Sequence, residues 1–223
     1  MELTNEQIEM QLQANDVLDK FIEDLYDDKK EKKIDGSINI MQLCNAPDNL
    51  QFMVQHQSLL GVIARTLRDE HKKSPELTLY LLTTIYCFSN YSVFHQFLID
   101  NKIGDATIRI IEYQLLRMNV LTEEITKQIE KLKADKKDWK KEIEPNRRNL
   151  EAITKQQDKI LCLCVQILLN IAEDFQIEKK MVSRKITERL IEMLNRSNIF
   201  LLIVVITFLK KLSLIRENKN AMV

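Results

Sequence analysis

The sequence predicts an all-α protein, a right-handed α-solenoid of three-helix repeats that carries a charged helical hairpin as an insertion. Three observations lead to this prediction: a lack of turn residues, an internal repeat, and a highly charged central segment. Among 223 residues there are three glycines and three prolines, whereas average usage is roughly 7% and 5%. Sandwiches, barrels and propellers need a turn about every 8–12 residues, so this composition excludes them.

The internal repeat appears in four gapless segments, which begin at Ile40, Ile85, Leu168 and Leu209. Three residues later each segment has a second apolar residue, namely Leu43, Phe88, Ile171 and Leu212. A small residue always follows: Cys44, Ser89, Ala172 and Ser213. Further on come two adjacent apolar residues, at 53–54, 98–99, 181–182 and 222–223. Because apolar residues three apart share a helix face, each segment predicts a helix, a tight corner and a short second helix.

A third helix begins after each short one, so each unit is predicted to contain a short, a medium and a long helix. Successive corners lie 45, 83 and 41 residues apart, which fits the armadillo/HEAT (ARM/HEAT-like) size class. Such units cannot bury their apolar faces alone, and they therefore stack. The spacing of 83 residues is about one unit longer than the others, and it predicts an insertion over residues 118–157.

The insertion is predicted to be helical. Half of residues 121–160 are charged, with 11 basic and 9 acidic side chains. Apolar residues recur at spacings near 3.5, as in Leu121, Ile125, Ile129 and Leu132. We interpret the segment as a charged helical hairpin with its turn near Pro145, because proline interrupts a helix. A disordered loop is the alternative.

The repeats are expected to occupy residues 35–223, with corners near 43, 88, 171 and 212. Residues 1–28 carry nine acids and one base, and an amphipathic helix over 6–28 is predicted to make residues 1–34 a cap for the first repeat. Ser74 and Asn198 have the residue types that cap helix N-termini.

The apolar run 199–209 is too short for a bilayer, which needs about 20 residues, and is predicted to be a fully buried core helix. The chain stops within the fourth corner, so we expect a fragment or a partner there and partial exposure of residues 200–209.

Composition and motifs argue against catalysis, cofactors and metals. The 33 basic and 33 acidic residues cancel, which gives no global reason to bind nucleic acid or an anionic membrane. Neither GxxxxGK[ST] nor GxGxxG occurs. The histidines are scattered, Cys44 and Cys87 stand alone, and Cys162 and Cys164 lie two residues apart, so the cysteines are interpreted as buried thiols. Exposed carboxylates without a pocket are interpreted as solubilising charge, and the chain is not expected to be an enzyme.

Five residues are candidates for partner binding. A solenoid binds extended or helical segments along the groove lined by its long helices. In several armadillo families an asparagine on that helix holds the partner's backbone, and only Asn170 occupies the column here. Gln166, one turn earlier, and Thr83 are weaker candidates, and a structural cap is the alternative for Asn170. Lys210 and Lys211 are candidates for an acidic segment, or they form a solvated helix end that favours the helix dipole.

Six stretches stand out together by their order and spacing: FIEDLYDD (21–28), NAPDNL (45–50), CFSNYSVFH (87–95), NKIG (101–104), LLNIAED (168–174) and FLKKLSLIRENKNAMV (208–223). They resemble the kinesin-associated protein family, whose members are armadillo-repeat accessory subunits of heterotrimeric kinesin-2. The resemblance covers about residue 15 to the end, and the joint order of the stretches is what makes it specific.

The resemblance implies a non-motor adaptor that binds the tails of the two kinesin-2 motor subunits and links them to cargo, including intraflagellar transport proteins. It implies a cytoplasmic, microtubule-associated protein that enters the cilium or flagellum of ciliated cells. Neither nucleic-acid binding nor direct insertion into a membrane is expected. An armadillo-type peptide-binding receptor or scaffold of the importin or catenin kind is the alternative.

Overall fold

The computed structural model describes residues 5–134, 139–173 and 175–214, with side chains from residue 15 onward except at 134, 139–142 and 175–176. Within these residues the secondary structure is helical and contains no strand. A 3₁₀ turn covers Ser92–Phe94. The α-helices are α1 (Asn5–Asp24), α2 (Lys30–Leu43), α3 (Pro47–Gln55), α4 (Leu59–Glu70), α5 (Pro75–Ser89), α6 (His95–Asp100), α7 (Ile103–Ala134), α8 (Trp139–Ile171), α9 (Phe175–Ser183), α10 (Ile186–Met193) and α11 (Ile199–Leu212).

The chain divides into two compact units, residues 1–106 and 107–223. In the first unit α1 packs on α2 and α2 packs on α5. Among the described side chains, Leu18 and Ile22 of α1 are buried, and so is Leu25 just after its end. All three belong to the apolar stripe of the predicted amphipathic helix. That helix ends at Asp24 rather than at residue 28, and α2 begins at Lys30. The Asp27 carboxylate accepts a hydrogen bond from Lys29 N at 2.8 Å, which stabilises the bend between the helices.

Gly36 sets how closely α1 approaches α2. A Cβ atom at this position would lie 2.7 Å from Asp24 Cβ and 2.8 Å from Phe21 O. Both contacts are shorter than real Cβ contacts, and the carbonyl belongs to the backbone of α1. A residue with any side chain at position 36 would therefore push the two helices apart.

Two predicted helix caps are confirmed. Ser74 Oγ accepts a hydrogen bond from Leu77 N at 3.3 Å, and Pro75 follows at the first position of α5. Asn198 Oδ1 accepts one from Leu201 N at 3.1 Å at the start of α11. Each cap satisfies a backbone donor that has no partner inside its own helix.

A buried histidine closes the second corner. His95 Nε2 lies 2.8 Å from Ser89 O at the end of α5, and its ring is nearly fully buried. Because a carbonyl only accepts, Nε2 carries the proton. The ring therefore satisfies one of the carbonyls that the end of α5 leaves without a helical partner.

Two short helices end in the same left-handed turn. Lys102 follows α6 with φ of 56°, and Lys185 follows α9 with φ of 60°. Each N–H donates back to the preceding turn, Lys102 N to Ile99 O at 2.9 Å and Lys185 N to Val182 O at 2.8 Å. The next helix begins at the following residue in both cases. Two copies of the sequence repeat therefore have the same left-handed turn at the same place.

In the second unit α7 and α8 run antiparallel. Gln157 Nε2 on α8 donates to the backbone carbonyl of Gln114 on α7. Two side-chain pairs also join the helices, Thr154 with Met118 and Asn146 with Gln128. The expectation of a turn near Pro145 is wrong, because Pro145 lies inside α8. Its missing N–H removes one helical hydrogen bond, while the buried Ile143 and the bond from Asn146 to Gln128 hold this part of α8 on the structure. The side chain of Trp139 and the short helix of the fourth corner lie outside the described residues.

An ion pair links α2 to α4. Lys33 Nζ lies 2.9 Å from Glu70 Oε1, and both side chains are less than one-fifth exposed. Burial raises the pKa of Glu70, but the hydrogen bond and charge of Lys33, together with Lys73, outweigh burial and leave the pKa below its usual value. A second ion pair, within α4, joins Arg65 to Asp69 at 3.7 Å, and each of these side chains is more than 60% exposed.

We expect Gly36→Ala and Gly61→Ala to have opposite effects on stability. Gly36→Ala places a Cβ atom too close to α1 and should lower the free energy of unfolding by about 1–3 kcal/mol, as overpacking does. In Gly61→Ala the added Cβ atom meets only Asn101 Oδ1, at 3.4 Å. This variant should raise the free energy of unfolding by about 0.5–1 kcal/mol through helix propensity. Urea unfolding followed by circular dichroism measures both. A stabilising Gly36→Ala would contradict the close packing of α1 on α2.

Glu70→Gln should destabilise the chain by about 1–2 kcal/mol at pH 7, since it removes a part-buried charged hydrogen bond. A lowered folded pKa gives stability that is present above the unfolded pKa and lost as pH falls through the folded value. The difference between wild type and variant should therefore shrink below about pH 4.5. Asp69→Asn is the matched control and should change stability by less than about 0.5 kcal/mol at either pH. Thermal melts between pH 3 and 7 test both.

Candidate partner-binding surface

The predicted groove residues lie on two helices. Gln166 and Asn170 are half-buried on α8, one turn apart. Asn170 is not free, because it already interacts with another group of the protein. Thr83 is half-buried on α5, where its hydroxyl donates to Leu79 O at 2.8 Å. Thr83 belongs to the first unit and the other two to the second.

The two predicted lysines differ in their surroundings. Lys211 Nζ lies 3.8 Å from Glu178 Oε1 on α9, and the Glu178 side chain is only 12% exposed. Lys210 is exposed at the last turn of α11. Within the second unit, Lys210 is therefore the better placed of the two to meet an acidic partner.

Helix α11 has an apolar face that no described residue covers. The helix packs on α8 and α10, and it buries Leu201, Val205, Phe208 and Leu212 completely. The side chains on its opposite face are more than half exposed: Ile199, Phe200, Ile203 and Ile206. The expectation of a fully buried core helix is therefore wrong, while the expected partial exposure of residues 200–209 is observed. The sequence contained the signal, because Thr207 is the single polar residue of the run 199–209 and cannot by itself make a polar solvent side.

The repeat columns show that the exposure of Ile206 is peculiar to α11. Ile206 aligns with Ser37 on α2, Leu82 on α5 and Val165 on α8, in the register that places Leu212 over Leu43, Phe88 and Ile171. Those three equivalents are 0% exposed, whereas Ile206 is 56% exposed. A column that is core in three long helices is thus surface in the fourth. Exposed apolar patches of this kind mark contact sites for other protein segments.

A polar groove lies elsewhere on the second unit. It has a volume of about 540 Å³ and is lined from α7 by Asn119, Thr122, Glu123, Thr126, Lys127 and Glu130. Asn119 Nδ2 donates to Glu192 Oε1 on α10 at 3.0 Å. The lining residues include no histidine or cysteine, and the described residues contain no group of three or more His, Cys, Asp or Glu side chains suited to a metal ion.

A buried ion pair ties the loop before α11 to α8. Arg196 Nη1 lies 3.1 Å from Asp158 Oδ1, and their side chains are 10% and 5% exposed. Burial raises the pKa of Asp158, and the charge of Arg196 opposes this effect only in part. The neighbouring Gln157 Nε2 donates to Gln114 O at 3.3 Å. These contacts fix where α11 starts, and with it the direction of the exposed face.

Two cysteines that the sequence analysis treats as isolated are neighbours. Cys44, at the end of α2, interacts with Cys87 on α5. The interaction lowers the pKa of Cys87 to about 7 and, together with burial, raises that of Cys44. Sequence spacing did not reveal the pair, because 43 positions separate the two residues and only the packing of α2 on α5 joins them.

The chain matches the family model described as kinesin-associated protein (KAP) over residues 2–223. The chain belongs to the kinesin-associated protein family. The match includes the first residues, which lay outside the resemblance read from the sequence. It identifies a kinesin-associated adaptor family as the context for the surfaces described above. No solved structure matches the chain.

Membership of the KAP family bears on the exposed face of α11. A family of proteins that associate with kinesin needs a contact surface, and α11 offers an apolar face that ends at Lys210. Among the described helices none combines the length and apolarity needed to span a bilayer.

Ile206→Ala and Val205→Ala test the two faces of α11. Ile206 is more than half exposed, so its truncation should change the free energy of unfolding by less than about 0.5 kcal/mol. Val205 is fully buried, and its truncation should cost about 2 kcal/mol through lost burial and a residual cavity. Chemical unfolding of the isolated chain measures both. Equal losses at the two positions would mean that Ile206 is packed in a core.

Proposed function

We propose that this chain is a non-motor adaptor subunit, which binds the tails of the heterotrimeric kinesin-2 motor and links the motor to cargo. The observation that carries the proposal is the family match over residues 2–223. The proposed setting is cytoplasmic and microtubule-associated, including intraflagellar transport in the cilium or flagellum. The chain contributes binding surface, and ATP chemistry belongs to the motor subunits.

We propose that residues 35–223 form armadillo repeats, with the charged hairpin of residues 118–157 inserted among them. Long helices that end at the aligned corners support this reading, since α2, α5, α8 and α11 end at Leu43, Ser89, Ile171 and Leu212. The shared left-handed turns at Lys102 and Lys185 support it further. Repeats of this kind present extended surfaces to helical or extended partners.

We propose that the exposed face of α11 is the docking surface for a tail segment that folds as an amphipathic helix with acidic residues. An apolar helix face accepts the apolar side of such a helix. α11 contains no acidic residue, and Lys210 continues the exposed stripe of Ile203 and Ile206 at helical spacing. A carboxylate beside the partner's apolar stripe would meet Lys210, while Lys211 is occupied by Glu178. Asn170, Gln166 and Thr83 are proposed as secondary groove contacts.

The decisive experiment mixes the chain with the paired kinesin-2 tail segments and follows the complex by size-exclusion chromatography at moderate salt. The wild-type chain should co-elute with the tails in a stoichiometric complex. The double variant Ile203→Asp/Ile206→Asp should weaken binding at least tenfold, since each position places a charge where apolar burial is expected. Lys210→Glu should weaken it less and mainly at low salt.

Leu116→Asp is the matched control, because Leu116 is an apolar residue of similar exposure, 64%, on a different helix, α7. It should bind the tails like wild type. If the double variant binds equally well, the docking surface is not α11. If α11 variants abolish self-association instead, the face is occupied by a second copy. A wild-type chain that is folded and fails to bind the tails would overturn the tail-binding proposal for these residues.

A further inference from the structure

The turn that joins α9 to α10 carries a cluster of positive charge. Lys179 and Lys180 lie on α9, and Arg184 and Lys185 form the turn between the two helices. All four residues are exposed, and residues 179–185 include no acid. Arg184 already interacts with another group of the protein, so the available charge belongs to the three lysines. We call Lys179, Lys180 and Lys185 the basic corner.

The single acid of α9 does not neutralise the basic corner. The side chain of Glu178 is only 12% exposed, and its Oε1 lies 3.8 Å from Lys211 Nζ on α11. In the repeat alignment Glu178 takes the position of Leu50 and His95, and both of these residues are buried. Glu178 therefore faces inward with a partner of its own. Among the described residues, no carboxylate forms an ion pair with a lysine of the basic corner.

Lys185 occupies a position that disfavours its residue type in two ways. Its φ of 60° is left-handed, where a Cβ atom lies too close to the following carbonyl oxygen and glycine is preferred. It is also the N-cap residue of α10, without a side-chain capping bond, and the N-terminus of a helix favours negative charge over positive. A carboxylate placed beside Lys185 would relieve the second of these costs.

The second corner has the same turn with a different charge. Lys102 has a φ of 56° and is followed at once by α7, and it aligns with Lys185 in the repeat. Residues 96–105 contain Asp100 and Asp105, however, and no second cation. The backbone strain is thus common to both corners, whereas the cluster of cations belongs to the basic corner. This difference makes Lys102 an internal reference for Lys185.

We propose that the basic corner binds an extended acidic segment of a partner protein. A helix rises about 1.5 Å per residue, so the six positions from Lys179 to Lys185 span about 9 Å. An extended chain covers that distance in about three residues. A run of about four to six acids therefore brings several carboxylates within reach of the three ammonium groups, which form charge-assisted hydrogen bonds with carboxylates.

Other polyanions fit the basic corner less well. Single-stranded nucleic acid is held by aromatic side chains on which bases stack, and residues 177–189 contain no aromatic residue. An anionic membrane is held by apolar side chains next to the cations, but Met181 and Ile186 are buried. The whole chain is electrically neutral, which gives no long-range attraction to a polyanion. The inference goes beyond tail binding and uses no residue of the exposed face of α11.

The test measures binding of dye-labelled octa-glutamate to the purified full chain by fluorescence anisotropy, with octa-glutamine as the neutral comparison. The chain should bind octa-glutamate and not octa-glutamine, and the affinity should fall several-fold as sodium chloride rises from about 50 to 200 mM. Lys179→Glu/Lys180→Glu should weaken binding about tenfold or more. Lys155→Glu/Lys159→Glu makes the same change of net charge at two exposed positions of α8, and should bind within about twofold of wild type.

A second pair of variants separates binding from stability. Lys185→Gly should raise Tm by about 2 °C, because it relieves the left-handed strain, and should weaken octa-glutamate binding about two- to fivefold. Lys102→Gly should raise Tm by a similar amount and leave binding unchanged. Circular dichroism melts and the anisotropy assay measure the two effects on the same samples.

Three results would overturn the proposal. The first is equal octa-glutamate binding by wild type and Lys179→Glu/Lys180→Glu. The second is an equal loss in Lys155→Glu/Lys159→Glu, which would mean that only net charge matters. The third is tighter binding to a polyuridine oligomer or to phosphatidylserine vesicles than to octa-glutamate, which would assign the basic corner to RNA or to a membrane surface.

Discussion

Burial of apolar stripes between neighbouring long helices is the constraint on which the rest of the structure depends. In the first unit α2 lies between α1 and α5, and in the second unit α11 packs on α8. A helix with few glycines and no strand partner can hide its apolar face only against another helix. The close approach at Gly36, the caps at Ser74 and Asn198, and the ion pair of Lys33 with Glu70 all serve this packing.

The same constraint explains why α11 is unlike the other long helices. Its sequence, IFLLIVVITFLKKL, is apolar on every side, as expected for a helix with neighbours on two faces. Only one of those faces is covered within the described residues, so a column that is core in α2, α5 and α8 becomes surface at Ile206. An apolar face without a cover is costly in water, and it gains free energy when another helix covers it. The burial of apolar area that stacks the long helices is therefore also available to a further helix that covers α11.

Polar groups inside the units are placed where they control geometry. Asp158 and Arg196 hold the loop that starts α11, and His95 satisfies a carbonyl at the second corner. A buried ion pair adds little net stability, but breaking it leaves an uncompensated charge.

Local signals in the sequence determined much of the helical pattern. Apolar spacing, capping residues and scarce turn residues predicted an all-helical chain, the caps at Ser74 and Asn198, and the run that becomes α11. The same signals placed a turn at Pro145, because they do not include the contacts with α7 that let α8 continue through a proline. The sequence also could not show that Lys211 is paired with Glu178 while Lys210 is exposed. Helix periodicity is a local property that the chain fixes over a few turns, whereas these contacts join residues far apart in sequence. They exist only once whole helices have packed, and so tertiary structure alone decided them.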